Sequence, residues 1–326
     1  MATAEQLKAL LRSFAEGDDE RFYTVAMQVA AHAAKQGKGK VADDIRRLVD
    51  DAKQRRSAVA SSGGPVPVVR PRGELASVLS VSYPEVRLRN MVLTADLTER
   101  LARVVREQRQ RAKLETHGFS ARRKLLLVGP PGTGKTMTAA ALAGELRLPM
   151  FSVLLDGLIT KFLGETAAKL RLVFDAMSRT RGVYFFDEFN ALGSRRGTAN
   201  EVGEIRRVLN SFLQFLEEDQ SSSLVVAATN HPDLLDRALF RRFDDVLTYE
   251  WPGPGDQREL LDRALAAFDT TSIDWDAVLD ETGGLSQADL VRSAIDAAKE
   301  TVLGDRRLVA TTDLLAALEE RRARER

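Results

Sequence analysis

The chain has 326 residues, of which 44% are hydrophobic and 29% charged, so it predicts about two globular domains and excludes collagen-like and wholly disordered classes. The 48 lysines and arginines nearly balance 47 acidic residues, which gives no support to a chain built mainly to coat nucleic acid or an anionic membrane. Because cysteine is absent, disulfide scaffolds and thiolate metal sites are excluded, and a reducing, cytoplasmic location is expected.

The first 56 residues contain three stretches with apolar residues at helical spacing, the first formed by Leu7, Leu10 and Phe14. They predict a small all-helical N-terminal domain over 1–56. Serine, glycine and proline then predominate, so residues 57–84 are predicted to form a linker that lets this domain recruit an adaptor or an enzyme partner. No apolar run approaches the roughly 18 residues that span a bilayer, so no membrane partner is expected.

From residue 85 onward, short apolar runs alternate with longer amphipathic stretches. Five runs have the length and composition of strands buried on both faces, at 125–128, 151–155, 183–186, 224–228 and 246–249. This alternation is typical of a parallel sheet covered by helices on both sides, so an α/β subdomain is predicted over 85–252. A helical lid subdomain is predicted over 253–326, with helices near 257–269, 286–303 and 311–325.

A glycine-rich segment separates the first of these strands from a predicted helix. It consists of Gly129, Pro130, Pro131, Gly132, Thr133, Gly134, Lys135 and Thr136, followed by Met137. Glycines allow backbone amides to turn inward around phosphate oxygens, and the helix N-terminus adds the positive end of its dipole. Lys135 would contact the β- and γ-phosphates, and the Thr136 hydroxyl would bind Mg²⁺. The segment therefore predicts a phosphate-binding loop for ATP and Mg²⁺.

Two acidic residues end the third predicted strand. Asp187 and Glu188 directly follow the run 183–186, at the strand end where such sheets bind ligands. We expect Asp187 to hold Mg²⁺ and Glu188 to polarise the attacking water. Asn230 ends the next predicted strand, where its amide would hydrogen-bond the γ-phosphate and the lytic water, although asparagine also favours turns.

Together these segments resemble the AAA ATPases, in the branch that includes katanin, spastin and the FtsH motor. The resemblance covers about residues 90–305 and rests on four motifs in order, at 129–136, 185–188, 228–230 and 235–244. It implies a P-loop parallel sheet with a C-terminal helical lid. It also implies a ring, usually of six identical subunits, with ATP at each interface. The lid element at 286–289 contains no arginine that would serve as a second sensor.

Within the fourth motif, Arg241 and Arg242 match the arginine fingers of the family, which reach the γ-phosphate held by a neighbouring subunit. A guanidinium group suits this role because it is planar and permanently charged. An arginine finger supplied by a neighbouring subunit raises the rate of hydrolysis by a factor of about 10³ to 10⁵. Many members of the family separate the two arginines by Pro-Gly, so the resemblance does not decide which one makes the closer contact. Two surface arginines on a turn are the alternative.

The resemblance also extends to a loop at 161–165, which matches the first pore loop of the family. It implies that Phe162 and Leu163 grip a polypeptide in the central channel. Judged from the residues alone, an aromatic residue before a glycine more often packs in the core. Residues 193–197 match a second, polar pore loop or a solvated connection. The implied function is a motor that couples hydrolysis of MgATP to remodelling, unfolding or threading of a protein client.

Two rival functions remain open. Residues 87–124 contain eleven lysines or arginines against four acids, which predicts a solvated helix face, a subunit interface or a surface for nucleotide or nucleic acid. The first rival is therefore an ATP-dependent remodeller or loader of nucleic acid. The second is an ATP-switched regulatory partner of a separately encoded enzyme such as a protease. The sequence lacks a His-Glu-x-x-His motif, so we expect no zinc protease of the FtsH kind.

Overall fold

The computed structural model describes residues 27, 30, 43, 71, 73–154, 158, 163–188, 199–234 and 237–324. The chain divides into two units, residues 1–67 and 68–326, and nearly all described residues belong to the second. The N-terminal helical domain predicted over 1–56 lies outside the described residues, except that Met27, Ala30 and Asp43 are helical.

A six-stranded sheet forms the centre of the second unit. Its strands in chain order are β1 Leu79–Ser82, β2 Lys124–Val128, β3 Met150–Val153, β4 Val183–Phe186, β5 Leu224–Thr229 and β6 Asp245–Thr248. Across the sheet the order is β1, β3, β4, β5, β2, β6, and all neighbours run parallel except β1 and β3. The five predicted strands and their parallel arrangement are thus confirmed.

The edge strand β1 was not predicted. It pairs antiparallel with β3, with Leu79 opposite Val153 and Val81 opposite Phe151, and Leu79 is buried. A short helix, α1 Leu75–Val78, leads into it. Alternating apolar residues and serines give β1 the period of a half-buried strand, although the prolines and glycines before it favour a linker. The prediction of a linker over 57–84 is therefore wrong for residues 75–82.

Helices cover both faces of the sheet. Within the α/β part they are α2 Ala95–Arg109, α3 Arg111–Glu115, α4 Lys135–Leu146, α5 Leu163–Arg179, α6 Ala199–Glu218 and α7 Arg237–Phe240. Successive strand residues point to opposite faces, so Leu125 and Leu127 pack with α2 and α4, whereas Leu126 and Val128 pack with α5 and α6. This burial on both faces explains why the central strands are continuously apolar.

The chain after the sheet is helical. It forms α8 Pro254–Ala264, α9 Trp275–Asp280, α10 Gln287–Leu303 and α11 Thr311–Arg324, and within 253–324 the only β pairing is an isolated bridge between Asp269 and Leu308. The three helices predicted for the lid correspond to α8, α10 and α11, whereas α9 was not predicted. The predicted fold class of the second unit is confirmed. No helix in the described part of the chain is long and apolar enough to cross a membrane.

The lid has a hydrophobic core of its own, built from Leu261, Leu290, Leu314 and their neighbours. One residue from outside the lid, Val92, also packs in this core. Val92 precedes α2, so the segment that enters the α/β part is attached to the lid as well.

Candidate active site

The glycine-rich loop connects β2 to α4, and close approach of the backbone explains its glycines. A Cβ atom at Gly129 would lie 2.3 Å from the carbonyl oxygen of Tyr249, and one at Gly132 would lie 2.4 Å from the hydroxyl oxygen of Ser286. Gly134 directly precedes α4 with a φ of 93°, in the left-handed region that favours glycine. The loop is therefore packed between the end of β6 and the lid.

Lys135 is the first residue of α4, and its side chain turns back to the loop. Its Nζ donates hydrogen bonds to the carbonyl oxygens of Gly129 at 2.8 Å and Pro130 at 2.6 Å. The residue is only 6% exposed, and this burial lowers the pKa of Lys135, while the carboxylates of Asp187 and Glu188 act in the opposite direction. A cation that is poorly solvated interacts strongly with an anion bound in the loop.

The two residues predicted to bind metal lie in contact. Thr136 Oγ1 donates a hydrogen bond of 3.0 Å to Oδ2 of Asp187, which follows β4. A hydroxyl and a carboxylate oxygen are ligands that Mg²⁺ accepts, and phosphate oxygens and water complete such sites in nucleotide enzymes. Within the described residues no group of three or more acidic, histidine or cysteine side chains would hold a metal ion. Thr136 and Asp187 thus fit a Mg²⁺ ion that a bound nucleotide also coordinates.

Glu188 has a strained backbone. Its φ of 45° is uncommon for a residue with a side chain, and its amide donates a 2.9 Å hydrogen bond to Oδ1 of Asp187. The Glu188 side chain is exposed, whereas Asp187 is half-buried. The turn therefore separates the two carboxylates, with one held against Thr136 and the other accessible to water.

A cavity of about 760 Å³ brings the predicted site residues together at the carboxyl edge of the sheet. Its lining includes Pro131, Gly132, Gly134, Lys135, Thr136, Met137, Asp187, Glu188 and Asn230. Gly129, Pro130 and Thr133 do not line the cavity. They support the loop from within, because Thr133 is buried and its hydroxyl donates a hydrogen bond to the Pro130 carbonyl. Behind the loop, Thr138 of α4 forms a 2.6 Å hydrogen bond with the buried Tyr249 hydroxyl.

The lid closes the other side of the cavity. The amide of Ala288 in α10 donates a 3.0 Å hydrogen bond to the carbonyl of Gly132, so the first turn of the helix touches the phosphate-binding loop. Ser286 caps the helix by accepting from the Asp289 amide at 3.1 Å. Gln287 and Val291 also line the cavity.

Arg292 is a cavity residue that the sequence analysis did not identify. It is exposed, and no described residue forms an ion pair with it. The lid element at 286–289 has no arginine, but Arg292 lies four residues after Ala288 and therefore on the same face of α10. Helical spacing relates Arg292 to Ala288, but the contact between Ala288 and Gly132 is what shows that this face of α10 meets the cavity.

Arg241 and Arg242 follow α7 and do not line the cavity of their own chain. Arg242 forms an ion pair of 2.6 Å with Glu217 of α6, whereas Arg241 is exposed and pairs with none of the residues described. The pore-loop prediction falls largely outside the described residues, because Lys161 and Phe162 are not described and Leu163 is the first residue of α5. The segment 193–197 is also outside them.

The basic residues at 87–124 are mostly neutralised by acidic partners. Seven of the eleven form ion pairs, namely Arg87, Arg100, Arg103, Arg109, Arg111, Arg122 and Arg123. Their partners include Glu145, Asp245 and Asp219, which lie in or next to other elements of the α/β part. Such pairing favours a structural role for this stripe over a surface for nucleic acid.

This combination of a strand, a glycine-rich loop, a helix and a Thr-Asp pair defines a P-loop nucleotide-binding protein. The family model described as "ATPase family associated with various cellular activities (AAA)" matches residues 125–250. A protein of Sinorhizobium fredii, the "Uncharacterized AAA family ATPase y4kL", is 34% identical over 323 residues, which are 98% of this chain and 96% of that protein. The chain belongs to the AAA family, as the motifs indicated, and is an ATP hydrolase.

Other relatives share the motor region. The ATP-dependent zinc metalloprotease FtsH 3 of Sphaerobacter thermophilus is 34% identical over 237 residues, which cover 70% of this chain and 48% of that protein. The chain thus spans about half the length of this relative. The crystal structure of the FIGL-1 AAA domain superposes with a TM-score of 0.60 at 25% identity and covers 74% of this chain and 85% of that chain. The relation to the FtsH branch is confirmed.

Proposed function

We propose that the chain forms a cytoplasmic ring, without a membrane partner, whose subunits hydrolyse MgATP at their interfaces to remodel or thread a protein client. Six subunits are the number that the family implies. The observation that carries this proposal is the position of Arg241, which is exposed and outside the cavity of its own chain. An arginine so placed is available to the cavity of a neighbour.

The proposed hydrolysis follows from the residues of the cavity. Lys135 would bind the β- and γ-phosphates, and Thr136 and Asp187 would hold Mg²⁺, which supplies positive charge to the phosphate oxygens. Glu188 would accept a proton from the water that attacks the γ-phosphorus, while the bond to the β,γ-bridging oxygen breaks to release ADP and phosphate. Asn230 would orient that water from the end of β5.

Of the two adjacent arginines, Arg241 is the better candidate for the finger. Arg242 is held by Glu217 of the same chain, and withdrawing it would break a 2.6 Å ion pair. Arg241 has no such competing partner among the described residues. A guanidinium group that reaches the neighbouring γ-phosphate stabilises charge that develops in the transition state.

A protein client is favoured over nucleic acid by two observations. Several relatives are named as ATP-dependent metalloproteases, and proteases act on polypeptides. The basic stripe at 87–124 has most of its charge paired within the chain. In this proposal Phe162 and Leu163 grip the client, and residues 1–56 recruit an adaptor or a partner enzyme.

Stimulation of ATPase activity tests the client class. We expect a denatured protein to stimulate hydrolysis and single-stranded DNA to have no effect. Phe162→Ala should abolish the stimulation and keep ATP affinity, since gripping of the client is proposed as a step separate from binding of the nucleotide. Stimulation by DNA with a steep salt dependence would favour a nucleic-acid motor instead. A Phe162→Ala variant that responds normally to denatured protein would contradict gripping by the pore loop.

A further inference from the structure

Arg263 connects the lid to a segment more than 170 residues earlier in the chain. From the last turn of α8, its Nη1 donates hydrogen bonds to the carbonyl oxygens of Arg89 at 3.0 Å and Met91 at 3.1 Å. Its Nη2 forms an ion pair with Glu259, one turn earlier in the same helix. The guanidinium group therefore binds backbone on one side and is neutralised on the other.

The segment around Met91 is held by packing as well as by Arg263. Val92 is 5% exposed and lies in the hydrophobic core of the lid with Leu260. Met91 is 7% exposed, and its sulfur accepts a 3.9 Å hydrogen bond from Thr138 in the second turn of α4. The segment thus lies between the lid and the helix that follows the phosphate-binding loop.

This segment contributes to the apolar lining of the nucleotide cavity. Lys135 and Asp187 line the cavity beside the phosphate-binding loop, whereas Val92, Leu260, Ala264 and Val291 line it from the lid core, together with Met91. A triphosphate bound to the loop places the base of the nucleotide against this apolar lining, because the ring faces are apolar. Arg263 lines the cavity too, but its pairing with Glu259 makes it a poor ligand for phosphate.

We propose that Arg263 is a positioning residue for the nucleobase: by fixing the Arg89 and Met91 carbonyls to the lid, it sets the wall on which the base packs. The inference rests on the proposed binding of ATP in this cavity and adds a determinant of nucleotide affinity. Without the guanidinium group the wall loses two charge-assisted hydrogen bonds, so binding of the base weakens. Contacts between the loop and the phosphates are unaffected.

The test compares ligands with and without a base. Binding of ADP and of inorganic pyrophosphate, each with Mg²⁺, is measured by calorimetry or competition for the full chain and for Arg263→Gln. We expect ADP to bind about tenfold more weakly to the variant and pyrophosphate to bind within about twofold of the parental affinity. In turnover, KM for ATP should rise while kcat stays nearly constant. Arg263→Lys, which keeps a charged donor, should recover part of the ADP affinity.

Arg258→Gln is the matched control. Arg258 lies on the same helix, pairs with Asp262 and stacks on the ring of Trp275 at 3.7 Å, but does not line the cavity. Its loss should lower the melting temperature and leave ADP affinity unchanged. Equal weakening of ADP and pyrophosphate in Arg263→Gln, unchanged affinity for both, or the same ADP loss in Arg258→Gln would overturn the inference. Failure of the parental chain to bind nucleotide would instead contradict the proposed function.

Discussion

The hydroxyl of Thr136 lies 3.0 Å from a carboxylate oxygen of Asp187, although 51 residues separate them in the sequence. Thr136 is in the first turn of α4 after β2, Asp187 follows β4, and β5 lies between these two strands in the sheet. Parallel strands bring their carboxyl ends to one edge, so two motifs distant in sequence form one site. The contact places both predicted metal ligands where a shared ion would bind.

Replacing Asp187 should therefore act through magnesium. Asp187→Asn keeps the size of the side chain but removes the charge, so we expect the Mg²⁺ concentration for half-maximal ATPase activity to rise by about tenfold or more. Titration of activity with Mg²⁺ at fixed ATP measures this change, and chelation of the ion should abolish activity in the parental protein. An unchanged Mg²⁺ requirement would show that Asp187 is not a ligand.

The role of Glu188 predicts a separation of binding from turnover. Glu188→Gln removes the proton acceptor but preserves the shape of an exposed side chain, so turnover should fall by about 10² or more, and ATP affinity should stay nearly intact. Calorimetry for binding and phosphate release for turnover give the two quantities. Hydrolysis at the parental rate would mean that another group accepts the proton.

Gly129 should tolerate no side chain. A Cβ atom there would approach the Tyr249 backbone oxygen to 2.3 Å, and a backbone atom cannot rotate away. We expect Gly129→Ala to destabilise the fold by at least about 2 kcal/mol in chemical denaturation. Gly255, in the first turn of α8, has open space around its Cβ position, so Gly255→Ala should stabilise by roughly 0.5–1 kcal/mol. Similar effects of both substitutions would contradict the packing described for the loop.

Arg292 should favour the more highly charged nucleotide. Its guanidinium group lines the cavity and forms no ion pair with any described residue, so Arg292→Gln should weaken ATP binding by about fivefold to tenfold and ADP binding by less. Arg307→Gln, at another exposed lid arginine outside the cavity, is the control and should change neither affinity. Equal affinities of the Arg292 variant and the parent for ATP would exclude this contact.

Local patterns were sufficient to predict most of the α/β fold. Continuous apolar runs identified the five central strands because these strands are buried on both faces. The phosphate-binding loop could be predicted because its residues are contiguous. In contrast, β1 is a short edge strand that follows a segment rich in proline and glycine, and its pairing with β3 depends on residues about 70 positions away.

Lid contributions to the site could not be predicted in the same way. Arg263 and Arg292 reach the cavity only because the lid folds back over the loop, where Ala288 contacts Gly132. The pairing of Arg242 with Glu217 likewise joins α6 to the turn after α7, and nothing in the local sequence indicates it. These roles follow from tertiary packing, which periodicity does not encode.

The most direct test of the shared site is a mixing experiment with two inactive variants. Arg241→Ala keeps its own cavity but lacks the finger, and Glu188→Gln keeps the finger but lacks the proton acceptor. Each variant alone should be nearly inactive, and an equimolar mixture should regain ATPase activity wherever an intact cavity meets an intact Arg241 of a neighbour. A mixture no more active than its components, or an Arg241→Ala protein with parental activity, would contradict the account.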